Sequence, residues 1–185
     1  MQDETLQIRW HGRGGQGAIT AAKIFAQAAF GSGFPGVVMA PSFGTERRGA
    51  PVEVSLKISK RKINDLCPIE NPDVVVVLDD SILGEIDVTA GIKPGGTLVI
   101  NTPRERGTYD FGRVSLATAD VTRLAEEAGL KRGIVNTGII GALAKALPIV
   151  PLSTLLDAIK VEFDGRRGDE NAAAARMTYE HTLTE

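Results

Sequence analysis

Cysteine is nearly missing from this sequence: Cys67 is the only one among its 185 residues. A single cysteine cannot form an internal disulfide, and it cannot by itself hold a zinc ion or an iron–sulfur cluster. Long apolar runs are also missing, because the longest, residues 74–78, is far too short to cross a bilayer. Residues 1–4 lack the basic and apolar regions of a signal peptide. We therefore expect a protein of a reducing compartment, the cytoplasm, that does not span a membrane.

An excess of charge of either sign is absent as well. The formal net charge is −2, from 21 lysines and arginines against 23 aspartates and glutamates. Such a balance gives no electrostatic attraction to nucleic acid or to an anionic membrane surface, so neither is expected as a partner. The length suits one domain with a sizeable core, and we predict a single domain over residues 1–185.

Short β-branched runs alternate with alanine- and leucine-rich stretches along the chain. Residues 6–10 precede the helix-like residues 18–30, and residues 74–78 precede residues 81–86. This order predicts an α/β fold, and the unbroken apolar run at 74–78 is typical of a parallel strand covered on both faces. Residues 52–58 alternate apolar and polar, which predicts a half-exposed antiparallel edge strand. We therefore predict a doubly wound, mostly parallel sheet with helices on both faces and an antiparallel edge strand.

A glycine-rich turn joins the first predicted strand to the first predicted helix. Gly12, Gly14 and Gly17 satisfy the G-x-G-x-x-G spacing of dinucleotide-binding folds. Glycines allow a tight turn and expose N–H groups at a positive helix end, which suits a phosphate, a carboxylate or a closely packed partner. Gly15 and Gln16 lie at the apex of the same turn. The alternative to a ligand or partner contact is that the glycines only allow the strand and the helix to pack closely.

A nicotinamide site also needs an acidic residue at the end of the second strand, to hold the ribose. The predicted second strand, residues 36–40, is followed by no carboxylate until Glu46. The sequence therefore argues against a working NAD site. A P-loop is excluded because no Lys-Ser or Lys-Thr pair follows the glycines.

The loop at residues 41–51 is the second candidate site, with Glu46, Arg47, Arg48 and Gly49 in succession. Arginines beside a glutamate can clamp a carboxylate or phosphate, or can make charge-assisted hydrogen bonds to a neighbouring subunit. A local salt bridge in a solvated turn is the equally open alternative.

Other polar residues carry weaker predictions, and none is assigned as a catalytic residue or metal ligand. His11 has a suitable pKa for acid–base work, but no Ser, Cys or Asp partner can be assigned to it. Asp79 and Asp80 follow the central strand. They could orient a bound group there, but we favour the alternative that one of them caps the next helix. Cys67 is predicted to be a small buried or half-buried residue.

Taken together, residues 9–17 and 41–51 resemble the gamma subunits of 2-oxoacid:ferredoxin or flavodoxin oxidoreductases, the pyruvate/ketoisovalerate oxidoreductase gamma family. The similarity continues through residues 70–79, 95–101 and 136–147, and it covers nearly the whole chain. The loop form at residues 46–51 is more similar to the pyruvate and branched-chain oxoacid members. Gamma-type subunits of 2-oxoglutarate or indolepyruvate oxidoreductases remain open alternatives, as does a free-standing nucleotide-binding oxidoreductase.

The resemblance implies a non-catalytic, structural gamma subunit of an enzyme that oxidatively decarboxylates a 2-oxoacid to acyl-CoA. It implies alpha, beta and delta subunits as partners, with ferredoxin or flavodoxin reached through the complex. Thiamine diphosphate, Mg²⁺, 4Fe–4S clusters and coenzyme A would belong to the assembled complex, and no cofactor is expected on this chain alone. The residues expected at a subunit interface or near a cofactor are Gly12, Gly14, Gly15, Gln16, Gly17, Glu46, Arg47 and Gly49.

Overall fold

A seven-stranded mixed sheet organises the chain in the computed structural model, which describes residues 5–42 and 49–184. The strands follow the spatial order β2-β3-β1-β4-β5-β6-β7. Their bounds are β1 Leu6–Arg13, β2 Gly36–Ser42, β3 Pro51–Ser59, β4 Val74–Val77, β5 Thr97–Asn101, β6 Ser115–Ala119 and β7 Leu183–Thr184.

The strand directions confirm the predicted mostly parallel α/β sheet. β1, β4, β5 and β6 pair in parallel with one another, while β3 runs antiparallel between β1 and β2. An antiparallel edge strand is present at β7, which pairs with β6. All strands except β3 and β7 therefore run in one direction.

The strand predicted at residues 52–58 is antiparallel, as expected, but it lies inside the sheet rather than at its edge. β2 covers the outer side of this strand, β3. Its alternation arises because Val54, Leu56 and Ile58 join the larger core while Ser55 and Lys57 are buried on the opposite face. Lys57 pairs there with Asp65 at 2.5 Å, so its charge is neutralised beneath a covering loop.

The two faces of the sheet are covered by different helices. All five α-helices contribute buried residues to the larger core, which contains Ile8 and Trp10 of β1. The other face packs Val75 and Val77 of β4 against Ile82, in a short 3₁₀-helix. The bounds of the α-helices are α1 Ala18–Gly31, α2 Val121–Glu127, α3 Asn136–Ala146, α4 Leu152–Glu162 and α5 Gly168–His181.

Val74–Val77 is buried on both faces, as its unbroken apolar sequence predicts. Val76 belongs to the larger core, whereas Val75 and Val77 belong to the smaller one. α3 and α5 cross closely at Gly141, where an added Cβ would lie 2.0 Å from the carbonyl oxygen of Ala175. Among the described residues, no helix is long and apolar enough to cross a membrane.

Candidate functional site

The glycine turn links the carboxyl end of β1 to the start of α1. Gly15 and Gly17 have φ angles of 96° and 81°, in the left-handed region that glycine adopts without strain. A Cβ on Gly17 would lie 3.0 Å from Asn136 at the start of α3, and one on Gly12 would lie 3.3 Å from the Cβ of Ala18. Gly12 and Gly17 therefore allow close packing inside the molecule, while Gly15 faces open space.

The turn lies directly beside the second candidate segment. The backbone N–H of Gly14 donates to the carbonyl oxygen of Ala50 at 2.8 Å, and the N–H of Gly49 donates to the carbonyl of Gly14 at 3.1 Å. These bonds continue the β1–β3 pairing beyond the end of β1. Gly14 and Gly49 are thus brought together, whereas Glu46 and Arg47 lie outside the described residues.

The side chain of Gln16 closes the turn and links it to β4. Its Oε1 accepts a hydrogen bond from the backbone N–H of Arg13 at 2.7 Å, and its Nε2 donates to Oδ2 of Asp79 at 2.7 Å. The other carboxylate oxygen, Oδ1 of Asp79, accepts from the backbone N–H of Ser81 at 3.0 Å. The predicted helix-capping role of Asp79 is confirmed, and the same carboxylate also fixes the glycine turn.

Arg13 connects three segments at this site. Its guanidinium lies 2.5 Å from Oε1 of Glu85 and 3.4 Å from Oδ2 of Asp79, and it donates to the carbonyl of Gly49 at 3.2 Å. The hydrogen bond to Glu85 raises the pKa of Arg13 and lowers that of Glu85. Burial raises the pKa of Asp79, but hydrogen bonds from Ser81 and Gln16 outweigh it, so the net pKa is lowered. The group is therefore an ion-paired network at neutral pH.

Sequence reasoning missed Arg13 and Glu85, although Arg13 lies inside the glycine motif. Their contact joins residues 72 positions apart. Glu85 follows the 3₁₀-helix Asp80–Gly84, where nothing in the local pattern distinguishes it from other exposed acids. No sequence signal links the two residues, because their contact depends on how the strands are ordered.

A cavity of about 150 Å³ lies at the carboxyl edge of the parallel strands. Its lining residues include Gln16, Asp79, Asn101 and Thr122. Open α/β sheets bind ligands at this edge, yet the side chains here already bond one another. Asn101 Oδ1 accepts the N–H of Val121 at 2.9 Å, which completes the start of α2.

Two features of the edge oppose a dinucleotide site. In dinucleotide-binding folds the pyrophosphate lies at the glycine turn, but here the carboxylate of Asp79 is bonded to that turn. β3 also separates β1 from β2, which places the end of β2 about 10 Å from β1. A ribose-binding acid at the end of β2 would therefore not lie beside the glycine turn.

A family model described as pyruvate ferredoxin/flavodoxin oxidoreductase matches residues 7–181 of the chain. The chain belongs to this family. The pyruvate/ketoisovalerate oxidoreductases common subunit gamma of Thermococcus litoralis is 46% identical over 182 residues, with 96% of this chain and 97% of the relative covered. The pyruvate synthase subunit PorC of Methanothermobacter marburgensis is 44% identical over 175 residues, with 95% and 96% covered.

A solved structure shows the same fold in this family. The crystal structure of pyruvate oxidoreductase subunit PORC from Thermotoga maritima matches with a TM-score of 0.84 and 34% sequence identity. The match covers 98% of this chain and 99% of that one. The resemblance inferred from the sequence motifs is thereby confirmed over nearly the full length of both chains.

His11 is buried and accepts a hydrogen bond from another side chain of the protein. Its side chain is 5% exposed, and its Nε2 accepts a hydrogen bond from Nε of Arg9 at 3.2 Å. Burial, and then the charge of Arg9, lowers the pKa of His11 to about 4. The imidazole is therefore neutral at pH 7, and its accepting nitrogen is occupied by Arg9.

Cys67 corrects one expectation: it is exposed rather than buried or half-buried. It follows Asp65 in the loop that covers Lys57, and the carboxylate of Asp65 accepts the backbone N–H of Cys67 at 2.9 Å. Hydrogen bonding to Asp65 raises the pKa of the Cys67 thiol, which disfavours the reactive thiolate. Within residues 5–42 and 49–184, no group of three or more His, Cys, Asp or Glu residues could hold a metal ion.

Proposed function

We propose that this protein is the gamma subunit of an oxidoreductase that converts pyruvate or a branched-chain 2-oxoacid to acyl-CoA with ferredoxin or flavodoxin as acceptor. The observation that carries the proposal is the full-length match: the gamma and PorC subunits compared above each align over at least 95% of this chain and of their own length. The whole chain, as one domain, therefore corresponds to one subunit of such an enzyme.

The subunit acts as a structural component of the complex in the cytoplasm and is inactive alone. Its partners are the alpha, beta and delta subunits, which supply the sites for thiamine diphosphate, Mg²⁺ and 4Fe–4S clusters. The chemistry of this chain supports that division, because one exposed cysteine cannot hold a cluster. The ionisable side chains at the glycine turn are also committed to one another, as the bonds of Arg13 and Asp79 show.

The glycine turn and the segment that ends at Gly49 form the contact with a neighbouring subunit. Gly15 supports this proposal because it is exposed and faces open space, unlike Gly12 and Gly17. The Gly14–Gly49 hydrogen bond joins the turn to the loop that carries Glu46 and Arg47. Those two side chains clamp either the neighbouring subunit or a phosphate of coenzyme A.

Pyruvate or a branched-chain 2-oxoacid is favoured over 2-oxoglutarate or indolepyruvate by the names of the relatives, which specify pyruvate and ketoisovalerate. A free-standing nucleotide-binding oxidoreductase is disfavoured by the carboxylate of Asp79 at the turn and by β3 between β1 and β2.

The test is to isolate the tagged chain from its host under anoxia, identify its partners by native mass spectrometry and assay viologen reduction with several 2-oxoacids. Co-purified thiamine-binding and iron–sulfur subunits, with reduction that depends on pyruvate or 2-oxoisovalerate, are expected. Preference for 2-oxoglutarate or indolepyruvate would replace the substrate assignment. A colourless monomer that is active by itself would overturn the proposal.

The interface role of the glycine turn has a separate test with a matched control. Gly15 and Gly165 are both exposed, both have positive φ, and neither has an atom within 4 Å of an added Cβ. Gly15→Trp and Gly165→Trp therefore carry a similar backbone cost, about 1–2 kcal/mol. Only Gly15→Trp is expected to reduce the yield of the complex, and equal yields from both variants would contradict the interface assignment.

A further inference from the structure

One edge of the sheet is open among the described residues. β2 pairs with β3 on one side, and no described strand pairs with the other side. Residues 36–40 carry no charge, although soluble proteins commonly protect a sheet edge with charges, prolines or a covering segment. Pro41 is the only such residue in β2, next to its carboxyl end. This edge therefore offers backbone N–H and C=O groups to another chain.

An apolar surface adjoins this edge. The side chain of Phe30 on α1 is 63% exposed, and Val37 and Met39 of β2 are half-buried beside it. Ile19, which is 42% exposed, extends the apolar stripe along α1. Phe30, Val37 and Met39 border a shallow cavity of about 330 Å³, which we call the β2 surface. It is lined by Lys23, Ala26, Gln27, Phe30, Val37 and Met39.

Positive charge lies at the amino end of β2. The run Lys60, Arg61 and Lys62 directly follows β3, and an added Cβ on Gly36 would lie 1.8 Å from the carbonyl oxygen of Arg61. Nζ of Lys60 donates to the carbonyl of Gly33 at 3.0 Å, which holds this run close to the start of β2. The uncharged edge is therefore bordered at one end by cations.

We propose that the β2 surface binds an extended segment of a partner subunit, which adds to the sheet as a strand beside β2. The segment places apolar side chains against Phe30 and Met39, and it carries acidic residues beside the exposed Lys60 and Lys62. This proposal rests on the proposed function, because it takes the partner from the same complex.

The chemistry of the surface selects this occupant. An added strand satisfies the outward N–H and C=O groups of β2, whereas a docked helix has already used its own backbone groups and would leave them unpaired. The apolar side chains of α1 and β2 give pockets for alternate residues of such a strand. The positive charges of Lys60 and Lys62 attract acidic residues, so the acidic end of the added strand lies at the amino end of β2.

The deciding experiment uses the intact complex, with the photoreactive p-benzoylphenylalanine at position 30. Cross-linking followed by mass spectrometry is expected to join position 30 to an apolar segment of a partner subunit with acidic residues nearby. Hydrogen exchange should show that the β2 amides not bonded to β3 exchange more slowly in the complex than in the isolated chain. A cross-link to a second copy of this chain, or to a helix, would overturn the strand assignment, as would unprotected β2 amides.

The proposed function and this inference fail in different ways. A chain that isolates without oxidoreductase subunits overturns both. The complex can instead be intact and reduce viologen with a 2-oxoacid, while position 30 cross-links to no partner and the β2 amides stay unprotected. That result overturns only the proposal that the β2 surface binds a strand.

Paired variants provide a second measurement. Phe30→Gln is expected to weaken assembly about tenfold, as loss of a buried interface aromatic does, whereas Val161→Gln, at a 76% exposed residue of α4, should not. Lys62→Glu is expected to weaken assembly about two- to fivefold, in contrast to Lys131→Glu at another exposed lysine. Equal effects within either pair would count against the β2 surface.

Discussion

Nε2 of Gln16 lies 2.7 Å from Oδ2 of Asp79, so the apex of the glycine turn is bonded to a residue two positions beyond the end of the central strand β4. The two residues are 63 positions apart in the chain. In dinucleotide-binding folds the pyrophosphate lies at this turn. Here the turn is instead bonded, through the side chain of Gln16, to a carboxylate of the protein.

Asp79→Ala should lower the free energy of unfolding by about 1–3 kcal/mol, because it removes a helix cap and the partner of Gln16. Gln16→Leu should cost about 1 kcal/mol, and the double variant should cost less than the sum because the two residues share a hydrogen bond. Urea denaturation measures all three. Asp157→Ala, at an exposed position of α4, is the control and should stay within about 0.5 kcal/mol; strictly additive costs would contradict the coupling.

Gly17→Ala should destabilise the fold more than Gly15→Ala. Both substitutions force a side chain into the left-handed region, at about 1–2 kcal/mol each, but only at Gly17 does the new Cβ press on Asn136, at 3.0 Å. Chemical denaturation of the two variants should differ by about 1 kcal/mol or more. Equal stabilities would show that the turn and α3 are not closely packed.

Gly141→Ala should destabilise the chain by about 2 kcal/mol or more, since the new methyl group would force α3 and α5 apart. The expected clash is with the backbone of Ala175, which cannot move away as a flexible side chain could. Thermal unfolding measures the loss. Gly107→Ala, where nothing lies within 4 Å of the added Cβ, should change the melting temperature little, and similar shifts for both would contradict the close crossing.

His11 should make stability depend on pH. Its pKa is lowered from 6.5 to about 4 in the folded chain, so below pH 6.5 the unfolded chain binds a proton that the folded chain does not. Its contribution is complete above pH 6.5 and is lost as the pH falls toward 4. Between about pH 7.5 and about pH 5 the loss is about 2 kcal/mol. Urea denaturation of His11→Gln should show a correspondingly flatter pH profile, whereas parallel profiles would refute this assignment.

Titration calorimetry of the isolated chain with NAD, NADP or a flavin should show no binding. The carboxylate of Asp79 at the turn repels a pyrophosphate, and β3 moves the end of β2 away from the site. A micromolar Kd for any of these nucleotides would revive the free-standing oxidoreductase as the function.

Much of the fold could be predicted because local patterns report burial. The unbroken apolar run at Val74–Val77 is a strand covered on both faces, and the glycine pattern does join β1 to α1. The motif residues also identify the family. The position of β3 could not be predicted, because alternation at residues 52–58 shows that the two faces differ without showing which strands lie on either side.

By itself, the sequence determined the periodicity of the strands and helices, the glycines that allow the turn, and the motifs of the family. Only the tertiary structure decided the strand order and the partners of Arg13, Gln16 and Asp79. The physical reason is that periodicity depends on residues a few positions apart, whereas the Gln16–Asp79 and Arg13–Glu85 contacts span 63 and 72 positions. Such contacts form only when β1 and β4 pair side by side and end at the same edge of the sheet.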